Sequence, residues 1–353
     1  MASLKKDTAV SRSNAYAPGT QSNLRSQWKT FFMFCFYFGL QPIPVSTETL
    51  CLFAQFLSRT FKSASAIRTY VAGVRTLHLF LDSPLPPVLD FNLKLTFKGI
   101  AKTLKHVPLQ KLPITPHMLA HFLDYLDLSL ELHLSFWSCC LFAFFLCARK
   151  SNLLPQSKNK CFNNTFLLKS DVTTLKHGLV VCIKWSKTNQ TNEKFLTIPI
   201  FRIKHSALCP VAAFKKMTSV IKAGLKDPLF MYHDNAGTLI PLTFHVFDNL
   251  LAEVLMSIGH NPSLYSGHSF RRGGATWAFS HGFPTEAIKL LGDWRSDSFL
   301  LYIHLSFETW VQLAKRLSSS LSRKQIHWFS PSFFILCFWP IFRVLVGFEL
   351  ISM

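Results

Sequence analysis

His268 and Arg271 lie three residues apart in the run His268-Ser269-Phe270-Arg271-Arg272-Gly273-Gly274. That spacing puts both on one face of a helix. Together they can offer a ring nitrogen and a guanidinium to a single phosphate. Downstream, the run from Leu290 to Tyr302 ends in a phenol that can attack that phosphate. A phenol titrates near ~10, so Tyr302 is a poor nucleophile until its proton is removed or its anion is stabilised. Guanidinium groups nearby favour the phenolate, and His268 can accept the proton. Attack builds negative charge on the non-bridging oxygens, and fixed donors aimed there stabilise the transition state. Arginine suits this task because its planar fork can bind two oxygens and stays charged. Arg149 and Arg271 are the candidates. Arg272 lies about 100° around a helix from Arg271, so the two are not expected to face one phosphate. Arg272 is read as a salt-bridge partner or a contact to a phosphate backbone.

An isolated His-x-x-Arg arises often by chance. The ordered set Arg149, Lys187, His268, Arg271, Trp294 and Tyr302 is far more specific. The matching segments are Ala148-Arg149-Lys150-Ser151-Asn152-Leu153-Leu154, Trp185-Ser186-Lys187-Thr188-Asn189-Gln190, His268 to Ala278, and Leu291 to Tyr302. On these segments the chain resembles the tyrosine (phage-integrase-type) recombinases, most closely the DIRS-like and Crypton-type mobile-element branch. The resemblance spans roughly residues 20 to 318. It implies double-stranded DNA as partner, a 3′-phosphotyrosyl intermediate on Tyr302, and strand exchange by several protomers, four in the family. The bond energy is kept in that intermediate, so neither metal nor ATP nor another cofactor is expected. It also implies a general-acid lysine in a β-hairpin turn, for which Lys187 is preferred over Lys184. Trp294 then fills the position that donates an indole N–H to the phosphate.

Two departures stand out. Many members carry the Trp294-type residue nine positions before the tyrosine, where this chain has Asp293; a carboxylate beside phosphate is chemically unsuited. Asn152 occupies a position where bacterial members usually carry glutamate. A recombinase-derived protein that binds DNA without catalysis is the alternative reading. Tyr265 and Tyr232 are read as structural, and His304, two residues past Tyr302, as facing away on a continuous helix.

Those residues must be held by a scaffold. Residues 1–20 are polar and read as disordered. Residues 21–104 read as four helices. Their expected apolar faces are Leu24, Trp28, Phe31, Phe32, Cys35 and Phe36, then Leu50, Phe53, Ala54 and Leu57, then Ile67 to Leu81, then a helix over about 92–104. Ser46 is a good N-cap. Arg59, Lys62, Arg68 and Arg75 are candidate phosphate contacts. The resemblance identifies this part with a helical, SAM-like core-binding domain. Residues 105–115 carry two prolines without periodicity and read as a linker. Residues 116–318 are expected to be the catalytic domain. It is mainly α with a small antiparallel sheet: strands at 166–168, 179–185 and 195–200, and helices at 116–128, 131–148, 208–223, 242–258, 268–281, 285–292 and 297–317. Close packing or backbone approach to DNA would explain Gly273 and Gly274, which cost helix stability.

The 353-residue chain has a net charge of +20 and is 49% hydrophobic. Such an excess suits a polyanionic partner, shared here by both halves of the chain. Its nine cysteines show no Cys-x-x-Cys spacing and read as reduced thiols of an intracellular protein. The histidines read as scattered, and no metal site is expected. The uncharged run from Leu134 to Ala148 is shorter than the ~20 residues a membrane span needs and reads as a buried core helix. The apolar tail at 319–353, interrupted by Pro331, Pro340 and Arg343, has no assigned role. Nuclear location follows only from the resemblance to eukaryotic elements.

Overall fold

The computed structural model describes residues 1–85, 90–106, 109–158, 165–186, 195–304 and 307–320. Lys187, the 186–193 turn beyond Ser186, and the tail from residue 321 lie outside this set. The chain forms two compact units, Met1–Leu109 and Gln110–Met353.

The first unit is helical: α1 (Ala2–Asn14), α2 (Pro18–Phe38), α3 (Thr47–Ser58), α4 (Ala64–Phe80) and α5 (Phe91–Leu104). Residues 2–14, expected to be irregular, are a helix; almost all of α1 is exposed, so it draws little support from burial. Ser46 caps α3 by accepting from the Thr49 N–H at 3.0 Å, and Asp90 caps α5 by accepting from the Leu93 N–H at 3.0 Å. Thr47 Oγ1 donates to Asp90 Oδ2 at 3.2 Å and ties the two helix starts together. The buried face of α3 is the expected one, Leu50, Phe53, Ala54 and Leu57. On α2 the face is shifted. Leu24, Phe31, Phe34 and Cys35 are buried, whereas Phe36 is 91% exposed and Phe32 is exposed too. Phe31 to Phe38 is apolar at every position, so periodicity alone does not fix which side faces the core. Leu81 also lies outside the core.

The second unit begins with α6 (Pro116–Tyr125) and α7 (Glu131–Phe145), then the single turn α8 (Lys150–Leu153). Every residue of α7 from Leu134 to Phe144 is buried, as expected for a central core helix. No helix among the described residues is long and apolar enough to cross a membrane. An antiparallel sheet follows in the order β1 (Val172–Leu175), β2 (Gly178–Ile183), β3 (Leu196–Phe201). Leu179 pairs with Ile200, Val181 with Ile198 and Ile183 with Leu196, which lines one face with apolar side chains. The first strand is not at 166–168: Leu168 makes an isolated bridge to Pro228, and the paired strand starts at Val172. After α9 (Pro210–Val220) comes an unforeseen hairpin of β4 (Met231–His233) and β5 (Leu239–Pro241). Then follow α10 (Phe244–Ser257), α11 (Gly267–Ser280), α12 (Thr285–Leu291), a 3₁₀ segment Asp297–Tyr302, and α13 (Phe307–Ser320). The helix expected over 297–317 is therefore interrupted just after Tyr302. His304 is exposed, and its backbone N–H donates to Thr276 Oγ1 at 3.0 Å, so the helical-wheel argument for it does not apply.

Gly273 and Gly274 are explained by packing within the fold. A Cβ on Gly273 would sit 1.9 Å from the Ile114 carbonyl oxygen, and one on Gly274 would sit 2.1 Å from that of Phe144. The pair lets α11 press its backbone against α7 and against the strand-like segment before α6, where the Ile114 N–H donates to the Ser269 carbonyl at 2.9 Å. Gly274→Ala is expected to destabilise the second unit by ~1–3 kcal/mol, the usual range for overpacking. A denaturant titration followed by tryptophan fluorescence measures this; an unchanged midpoint would refute the close-packing account.

Candidate active site

The site is built where two helices end in the same kind of turn. At the C-terminus of α7, Cys147 adopts a left-handed φ of 44°. Its N–H donates to the Phe144 carbonyl, and the Ala148 N–H donates to Ala143 at 3.1 Å. At the C-terminus of α12, Asp293 adopts φ 52°. Its N–H donates to Leu290, and the Trp294 N–H donates to Lys289 at 2.9 Å. Both are Schellman turns, which satisfy the last carbonyls of a helix and reverse the chain sharply. The first delivers Arg149 two residues past the turn. The second folds the Trp294 ring back over Gly292, where a Cβ would lie 1.8 Å from the ring.

Arg271, one turn into α11, is the centre of the arrangement. It is 1% exposed. Its Nη1 donates to the Cys147 carbonyl at 2.5 Å, so the turn that delivers Arg149 also orients Arg271. Its Cζ stands 3.7 Å from the centroid of the Trp294 ring and 5.2 Å from that of Tyr302. The Trp294 and Tyr302 rings are themselves 5.2 Å apart. This is cation–π geometry at close range. Burial pulls the Arg271 guanidinium down to about 10, the positive charge of Arg149 adds to that, and the Tyr302 phenol and the Cys147 thiol oppose it. It therefore remains protonated at neutral pH.

Arg271 makes no ion pair among the described residues. Its Nε and Nη2, and the indole Nε1 of Trp294, are buried and find no acceptor there. Buried donors are nearly always satisfied, and a buried unpaired cation is costly. Three such donors beside one phenol describe a place for an anion. His268 lies one turn earlier, exposed, at the start of α11, where the helix dipole adds to the positive field.

Four expected site residues are thus brought together: Arg149, Arg271, Trp294 and Tyr302. Of the two register candidates, the Trp294 ring packs on Arg271, while the Asp293 carboxylate accepts from the Ser186 hydroxyl. Lys184, the alternative to Lys187, is paired with buried Asp171 at 2.5 Å. The hydrogen bond that Lys184 donates to Asp171 raises its ammonium above the ordinary range. In the first unit Arg59, Lys62 and Arg68 are exposed and Arg75 is half-buried.

Arg272, read as a salt-bridge partner or a contact to a DNA backbone, makes no ion pair among the described residues, and its Nε is buried without an acceptor there. It is 7% exposed, and its Nη1 donates to the Leu301 carbonyl at 2.8 Å. Thr276, not anticipated, donates to the Tyr302 carbonyl at 3.3 Å. One helix therefore carries Arg271 and also grips the backbone on which Tyr302 is mounted. Asn152 is likewise a connector. Its Oδ1 accepts from the Arg149 N–H at 3.2 Å and its Nδ2 donates to the Trp185 carbonyl at 2.8 Å. Arg272→Met is expected to slow any reaction at Tyr302 while leaving the salt dependence of DNA binding unchanged. A lost phosphate contact would instead lower that slope by about one. Binding isotherms from low to high salt decide between the two.

No family model and no curated protein matches this sequence. Solved structures are similar in fold. The structure of the Tn1549 transposon integrase in complex with circular intermediate DNA matches with a TM-score of 0.59 at 14% identity, over 88% of this chain and 97% of that one. A lambda integrase dimer bound to a COC′ core site gives 0.54 at 14%, over 85% and 94%. The XerH site-specific recombinase in a post-cleavage complex with palindromic difH gives 0.52 at 16%, over 78% and 72%. The chain has the mainly helical tyrosine-recombinase fold with its small antiparallel sheet.

Proposed function

We propose that this protein breaks and rejoins double-stranded DNA through a 3′-phosphotyrosyl intermediate on Tyr302, as a site-specific recombinase of a mobile element. The observation that carries this reading is the set of buried, acceptor-less donors on Arg271 and Trp294 beside the Tyr302 ring. A scissile phosphate supplies the missing acceptors, and its charge offsets the buried guanidinium. In the reaction the Tyr302 oxygen bonds to phosphorus as its proton passes to His268 or solvent. The bond from phosphorus to the 5′-oxygen breaks, and Lys187 gives that oxygen a proton. Arg149, Arg271 and the Trp294 N–H take up the charge that develops on the non-bridging oxygens. Attack by a 5′-hydroxyl reverses the sequence and reseals the strand or joins it to another end.

The excess of positive charge and the exposed cations of the first unit support binding along a DNA backbone. The sequence motifs favour a DIRS-like or Crypton-type element, a nuclear site of action and assembly of four protomers on DNA. Incubation with a library of nicked duplexes, which lets the cut segment diffuse away, tests the reaction. A covalent adduct that survives denaturant and maps by mass spectrometry to the Tyr302 peptide is expected. Salt-sensitive DNA binding with no adduct on any duplex would instead make the chain a DNA-binding protein without catalysis.

A further inference from the structure

We infer that Ser186 and Asp293 form a latch that ties the chain at Ser186, one residue before Lys187, to the turn that precedes the tyrosine-bearing segment; this rests on the strand-cleavage reading above. Asp293 Oδ2 accepts from Ser186 Oγ at 2.5 Å, across 107 positions of sequence. Ser186 is buried, so solvent does not compete strongly for its hydroxyl. A hydrogen bond to an ionised acceptor is roughly twice as strong as a neutral one. The left-handed backbone of Asp293 in its Schellman turn sends the carboxylate to Ser186 while Trp294 turns onto Arg271.

The neighbouring residue is held from the other side. The Trp185 carbonyl accepts from Asn152, which is itself bonded to the Arg149 backbone in both directions. Residues 185 and 186 are thus pinned between the turn that delivers Arg149 and the turn that delivers Trp294. The next residue in the chain is Lys187, and consecutive Cα atoms are about 3.8 Å apart. The latch therefore fixes the point from which the proton-donating lysine departs. It also gives the acidic residue at the nine-before-tyrosine position a purpose that needs no contact with phosphate. Ser186 and Asp293 act through the segments they join and are positioning residues.

Two variants separate the latch from the turn that carries it. Ser186→Ala removes the donor. Asp293→Gly removes the acceptor and retains a residue suited to left-handed backbone. Hydrogen exchange on the free protein is the first readout. Asp293→Gly is expected to speed exchange in the peptide covering 179–186, and Ser186→Ala in the one covering 290–302, with α7 unchanged. Unaltered exchange in the distant peptide would overturn the latch. The second readout is single-turnover cleavage of two nicked duplexes, one with the normal 5′-oxygen and one with sulfur bridging at that position. Sulfur departs as a thiolate and needs no proton. Each variant is expected to lose about tenfold or more on the oxygen substrate, part of the ~10²–10⁴ a proton donor contributes, and to recover on the sulfur substrate. The double variant is expected to be no worse than either single one. Equal losses on both substrates would mean a merely structural role, and no loss would mean none; either overturns the inference. A wild-type chain inert on both substrates overturns the strand-cleavage reading itself, and the positioning role with it.

Discussion

Tyr302→Phe is expected to abolish the covalent protein–DNA adduct while leaving DNA affinity and folding unchanged. The substitution removes a single oxygen. The Tyr302 ring packs against the cluster of Ala275, Ala278, Ile288, Trp294 and Phe299, and phenylalanine preserves that packing. The bonds that mount this residue, from Arg272 and Thr276, go to backbone carbonyls and do not depend on the side chain. Loss of one half-buried hydroxyl costs stability about 0.5–1.5 kcal/mol at most. Loss of the nucleophile leaves nothing to bond to phosphorus, so cleavage should fall by ~10⁴ or more, as when an essential nucleophile is deleted. Denaturing electrophoresis of labelled nicked duplexes, beside a binding isotherm, reads both quantities. An adduct that persists in Tyr302→Phe would move the nucleophile elsewhere and sink the assignment.

Arg271→Lys should be nearly as damaging to catalysis. The arginine uses its planar group three ways: Nη1 bonds the Cys147 carbonyl, the face stacks on Trp294, and Nε with Nη2 remains for an acceptor. An ammonium keeps the charge but cannot keep all three. Losing one preorganised donor of this kind costs ~10²–10³ in rate, and that is the expected fall in single-turnover cleavage. A duplex with a neutral methylphosphonate at the scissile position carries less charge for Arg271 to offset. The gap between wild type and Arg271→Lys should therefore narrow on that substrate. A gap of equal size on both would show that Arg271 serves the fold alone.

Much of this was legible in the sequence because it is local. His268 and Arg271 share one helix face through their spacing, and the buried residues of α3, Leu50, Phe53, Ala54 and Leu57, recur at steps of three and four. Leu134 to Ala148 declares a core helix by lacking charge. Where local pattern was uninformative, the reading failed for identifiable reasons. An unbroken apolar run hides the phase of α2. The first strand of the sheet begins at Val172 because its register with β2 decides, and no periodicity marks it. The helix expected through Tyr302 breaks because Thr276 on α11 bonds the chain at both Tyr302 and His304.

The sequence by itself determined the chemistry on offer: two arginines, a histidine, a tryptophan and a tyrosine of the right kinds in a specific order, on a strongly basic chain. Tertiary structure decided which neighbour does what. Trp294 rather than Asp293 faces Arg271, since a left-handed turn sends adjacent side chains apart. Arg272 holds the backbone beside the tyrosine, and Asn152 and Asp293 join segments far apart in sequence. These roles depend on hydrogen bonds between residues tens to a hundred positions apart. Such bonds arise from how helices pack, and a local pattern of residue types carries no record of them.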